Sequence, residues 1–215
     1  MNQVVKNKMD RKIMVVNADT LFADFPRESR FYTAWEHDFQ GIVKNSYEYM
    51  IRWDAEKDYW YKQPLPYAAV IDENNRIFVY KRWWSGSNAW ESRLHEKISF
   101  WIWGHIELED ESNKDLLKDS LIREVEEEVN ITDEQIKGTH LLWYINDDSN
   151  DVWKVHFGIF YVVRVMTSNV DLLDGELDNG EFLSVEKLEE VVHSWEYDLE
   201  TWSQIAFPAL KEYLI

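Results

Sequence analysis

The chain has 215 residues, 45% of them apolar and 15% aromatic, so it is too hydrophobic to be disordered and long enough for one sizeable core plus an extension. Its 23 basic and 41 acidic residues leave a formal net charge of −18, which repels phosphate backbones and argues against duplex DNA or RNA as a partner. The absence of cysteine excludes disulfides, a thiolate metal site and a thiol nucleophile. The apolar runs are too short to span a bilayer, and no secretory leader follows the basic first twelve residues, so the expected location is cytoplasmic.

In chain order, Met14 to Asn17 reads as a short strand, and residues 20–65 as mostly helix and loop. Tyr67 to Ile71 and Arg76 to Trp84 are β-rich runs flanking Asp-Glu-Asn-Asn, the pattern of a hairpin. After a loop at Ser85 to Asn88, "KISFWIWGHIEL" reads as a strand ending near Gly104. A helix is expected from about Ser112 to Val129, with Ser112 and Asp115 as its capping box. "THLLWYIN" and "VHFGIFYVVRV" follow as strands joined by a polar loop. A helix opened by Ser184 comes next, and then a C-terminal helix interrupted or kinked at Pro208. Strands surrounding one central helix indicate an α+β fold with a mixed sheet.

The stretch "LIREVEEEVNI", Leu121 to Ile131, carries the chemistry. At about 100° per residue, Leu121, Ile122, Val125 and Val129 form the stripe that must be buried. Glu124, Glu127 and Glu128 then share another face at spacings i, i+3 and i+4. Like charges so close repel, unless a hard divalent cation with oxygen ligands sits among them. The bland alternative is a solvated acidic face in an acidic protein.

The flanking sequence extends the pattern. Gly104, Asp115, Arg123, Glu124, Val125, Glu127, Glu128 and Ile131 resemble the Nudix box, G-x5-E-x7-R-E-U-x-E-E-x-G-U. Three positions depart from it: Asp115 stands for Glu, the gap after Gly104 is five residues longer, and Asn130 replaces the final Gly. "KQPLPYAAV", "IFVYKRWW", "GELDNGEFLSVEKL" and "LETWS" are similar to a loop-extended branch of predicted phosphoesterases. The resemblance implies a Nudix fold, a mixed β-sheet sandwiched between helices (α/β/α), over residues 63–215, with residues 1–62 as an N-terminal extension packed on that core.

It also implies roles. Glu127 and Glu128 would be metal ligands, and Glu124 a third ligand or the base that activates water. The Gly104 carbonyl would be a further ligand, and Arg123 would point away from the cluster and brace the loop through Asp115. A carboxylate after the box, Glu176 or Glu181, could join the metal. Arg93, Lys97 and His105 are candidates for meeting substrate, and Trp143 is core first and a stacking platform second. His156 reads as a structural histidine, and Trp101 and Trp103 as sharing one face and one environment. The activity implied is Mg2+-dependent hydrolysis, with Mn2+ as a second candidate metal, of a diphosphate bond in a nucleoside-diphosphate-linked or similar phosphorylated small molecule. The alternative is a catalytically silent metabolite-binding module of the same fold. A homodimer is expected by analogy.

Overall fold

The computed structural model describes residues 8–28, 30–82, 97–112, 114–173, 177–193 and 199–215. The elements form two compact units interleaved along the chain: 1–66, 104–120 and 142–160 make the first, and 67–103, 121–141 and 161–215 the second. The expected extension, 1–62, falls wholly within the first unit. The architecture is α+β. The pairings described below are antiparallel, and one isolated parallel bridge joins Ile98 and Leu199.

The elements are β1 (Lys12–Asn17), α1 (Ala18–Leu21), β2 (Arg30–Thr33), α2 (Phe39–Ser46), β3 (Tyr47–Ile51), α3 (Arg52–Ala55), β4 (Tyr61–Ile71), β5 (Ile77–Arg82), β6 (Ile98–Ser99) and β7 (Ile102–Trp103). They continue with α4 (Leu116–Val129), β8 (Ile136–Asn146), β9 (His156–Val165), β10 (Leu177–Leu183), α5 (Val185–His193) and α6 (Thr201–Leu214). β4, β8, β9 and α4 run through both units. Among the described residues, no helix is long and apolar enough to cross a membrane.

In the first unit, β1 pairs with β3 and with the start of β4, while β2 pairs with the end of β8. Two strands, β2 and β3, therefore stand where the sequence suggested helix and loop. Their side chains do not alternate cleanly between apolar and polar, so the period of a half-buried strand is missing. Phe39 centres the aromatic core here, its ring 5.0 Å from Tyr32, 5.2 Å from Tyr144 and 5.1 Å from Phe157.

In the second unit, β10 pairs with β5, and β5 with the end of β4. The turn between β4 and β5 is built on Asp72. This buried carboxylate accepts from the Asn74 and Arg76 amides, from Arg76 Nε at 2.8 Å and from Ser168 at 2.9 Å. Burial alone would raise its pKa, but these donors win and lower it. Asn75 takes the left-handed conformation at φ 57.

"KISFWIW" is not one strand. β6 pairs with β5 through Tyr80 and Ser99, and β7 pairs with β4 through Tyr67 and Trp103, so the segment changes partner between them. Trp101 and Trp103 do share an environment: both rings pack on Tyr67, at 5.8 and 5.5 Å. Ser184 opens α5 by accepting from the Lys187 amide at 3.2 Å. α6 starts at Thr201 and continues through Pro208.

The helix that carries the glutamates begins later than expected. Leu108–Ser112 forms a separate 3-10 turn, and α4 starts at Leu116, with the Asp115 amide donating to the Asp119 carboxylate at 3.1 Å. Ser112 is therefore not its cap. The buried stripe is Leu117, Leu121, Val125 and Val129, and Ile122 is only half-buried. Asn130 ends the helix at φ 55, its amide donating to the Glu126 carbonyl at 3.0 Å. A branched side chain at that φ should cost about 1–2 kcal/mol. Asn130→Val is expected to lower the urea midpoint accordingly, while Asn130→Gly stays close to the parent.

Candidate functional site

Burying one stripe of α4 turns a second face outward, and on it sit Glu124, Glu127 and Glu128. Their environments differ. The Glu124 side chain is 14% exposed and that of Glu127 61%, while Glu128 is half-buried and its backbone carbonyl accepts from the Leu173 amide. Glu126 is exposed.

Arg123 does not point away from these carboxylates. Its Nη1 lies 2.8 Å from Glu124 and 3.3 Å from Glu127. The physical reason is local: a guanidinium one and four residues away offsets the repulsion of two acids on one face. Asp115 pairs with Lys44 at 3.0 Å. Carboxylates are hard oxygen donors, the ligand type that hard divalent cations take.

Gly104 is buried and leads directly into His105, which is 6% exposed. His105 Nε2 lies 2.8 Å from Gln63 Oε1 and 4.0 Å from Glu56 Oε1. His156 is 3% exposed, its ring 5.8 Å from that of His105. Burial, helped by the positive charges of Arg52 and Lys62, pushes the pKa of His156 down to about 3, so its ring is neutral. The three residues Glu56, His105 and His156 converge, each offering one donor atom within 4.8 Å of the others. Glu56 was invisible to sequence reasoning. The three positions are some fifty residues apart on three different stretches of chain, and no spacing rule links them.

Trp143 is buried against Phe31 and Phe160, ring centroids 5.2 and 5.0 Å away, so its faces are occupied and it serves the core. Trp153 is likewise buried. Lys97 is half-buried and Glu181 exposed. Arg93 and Glu176 lie outside the described residues.

The helix face, the box residues and the α+β architecture together define a class: the chain belongs to the Nudix hydrolase family, whose members act on phosphorus-containing anhydrides. Two proteins are similar along almost its whole length. Protein YmaB of Bacillus subtilis (strain 168) is 34% identical over 214 residues, covering 95% of this chain and 99% of that protein. The crystal structure of Tm1382, described as a candidate Nudix hydrolase, superposes with a TM-score of 0.76 at 25% identity, covering 94% of this chain and 99% of that one. No protein-family profile matches the chain.

The first unit also holds a buried lysine. Lys62 has no exposed side-chain surface, and its ammonium pairs with Asp148 at 2.7 Å. Desolvation lowers its pKa from 10.5 to about 8 against the pull of Asp148. Below pH 8 both folded and unfolded chains hold this proton. Between pH 8 and 10.5 the unfolded chain holds more of it, so this group adds stability as pH rises, by up to about 1.4 kcal/mol per pH unit. Lys62→Met should flatten that part of the stability profile, read from urea midpoints across the window. Identical slopes for variant and parent would contradict the assignment.

Proposed function

We propose that the chain hydrolyses a diphosphate bond in a nucleoside-diphosphate-linked or similar phosphorylated small molecule, and that Mg2+ is its cofactor. The observation that supports this reading is the shared face of Glu124, Glu127 and Glu128 on α4, beside Arg123. The donor chemistry fits the ion, because Mg2+ prefers oxygen ligands and a cation relieves the repulsion of neighbouring carboxylates. Glu124, Glu127 and Glu128 would hold it. Bound there, the ion supplies charge neutralisation for phosphate oxygens and activation of the attacking water.

The chain's own residues do the rest. Glu124, with only 14% of its side chain exposed, would take a proton from the attacking water. Arg123 holds Glu124 and Glu127 in position through its two ion pairs. An acidic protein surface disfavours long polyanions and leaves a small phosphorylated molecule, locally neutralised by metal, as the fitting substrate.

Glu124→Gln and Glu127→Gln should each lower kcat by roughly 10²–10⁴-fold, the range expected for loss of a proton-transfer group, without moving the unfolding midpoint. The assay is release of phosphate or monophosphate from a panel of phosphoanhydride metabolites with Mg2+ and with Mn2+. Full activity in both variants would remove these glutamates from the site.

A further inference from the structure

Glu56, His105 and His156 have no part in the chemistry just described, yet they meet within the first unit. Glu56 caps α3, His105 follows Gly104, and His156 opens β9. One donor atom from each lies within 4.8 Å of the other two. We propose that these three residues form a second divalent-cation site, selective for zinc and its transition-metal neighbours over magnesium.

The donor set argues for that class of ion. Two imidazoles, borderline nitrogen ligands, beside one carboxylate suit zinc and related first-row ions, whereas Mg2+ favours all-oxygen sites. The surroundings argue for ligation as well. A ligating histidine characteristically has its other ring nitrogen fixed by an acceptor, and a ligating carboxylate is itself hydrogen-bonded. Here Gln63 Oε1 lies 2.8 Å from His105 Nε2 and orients the ring. Arg52 Nε donates to Glu56 Oε1 at 3.2 Å, so this carboxylate is itself hydrogen-bonded. The backbone of Val152 faces the His156 ring as an acceptor.

Charge does not oppose the site. The two neighbouring cations each have a carboxylate: Arg52 pairs with Glu56 at 3.2 Å, and Lys62 with Asp148 at 2.7 Å. Both imidazoles are almost fully buried, which restricts their rotamers and lowers the entropic cost of ordering them. Binding would draw the donors inward, because two ligands about 2.1 Å from a tetrahedral ion stand roughly 3.4 Å apart. It would also cross-link α3, the segment after β7 and the start of β9, three stretches distant in sequence.

The test uses the full chain with Glu124, Glu127 and Glu128 all changed to Gln, so that the carboxylates of α4 cannot supply the signal. The chelator-stripped protein is titrated with Co2+ as a visible-absorbing stand-in for zinc. The expected result is one equivalent bound with the d–d absorption of imidazole ligation, displaced by Zn2+. The thermal midpoint should rise with Zn2+ but not with Mg2+. Glu56→Gln and His156→Gln in that background should each abolish the stoichiometric signal. Should His156→Gln fail to fold, Glu56→Gln, at a partly exposed position, carries the same test. Gln63→Leu, which removes a positioning partner, should weaken affinity by about 10–100-fold. Absence of the Co2+ signal from the triple variant, or its persistence in Glu56→Gln, would overturn the proposal. Neither result bears on hydrolysis by the unaltered glutamates, so the two readings stand or fall separately.

Discussion

The constraint on which the candidate site depends is the mismatch between helical period and charge. α4 must bury Leu117, Leu121, Val125 and Val129, and each is fully enclosed. With 3.6 residues per turn, that burial leaves Glu124, Glu127 and Glu128 on one side of the helix. Each like-charged pair on that side costs a few tenths of a kcal/mol on a free surface. Burying one Leu or Val side chain is worth about 1.5–3 kcal/mol, so the packing term outweighs the repulsion. What the helix cannot do is remove the repulsion, and Arg123 meets part of it through two ion pairs.

The same principle, polar groups held by buried frameworks, recurs elsewhere. Asp72 is fully enclosed and satisfied by amides, a guanidinium and a hydroxyl, and it shapes the turn between β4 and β5. Lys62 is enclosed and answered by Asp148. Desolvation dominates at Lys62, whereas the donors dominate at Asp72, and the two pKa values move downward for opposite reasons. Glu56, His105 and His156 belong to this pattern of buried polar clusters, and each is oriented by a neighbour.

Much of the fold was legible where a local rule was strong. The β4–β5 hairpin followed from Asp-Glu-Asn-Asn between two β-rich runs, and Asn75 takes the left-handed φ such a turn uses. Asn130 read as a helix stop and is one, at φ 55. β2 and β3 were missed because aromatic, mixed segments lack a clean period of two, and pairing with β8 and β1 makes them strands. The start of α4 was misplaced because Ser112 and Asp115 match a capping pattern that a 3-10 turn interrupts. The core role of Trp143 was anticipated, although only its contacts with Phe31 and Phe160 rule out a free stacking face.

By itself the sequence determined the family and the common helix face of Glu124, Glu127 and Glu128, because box spacing and helical period are properties of a short contiguous segment. Tertiary structure decided the partner of Asp115 and the meeting of Glu56 with His105 and His156. Each of these depends on which surfaces pack together. Packing brings together residues some fifty positions apart, across distances that no local periodicity encodes.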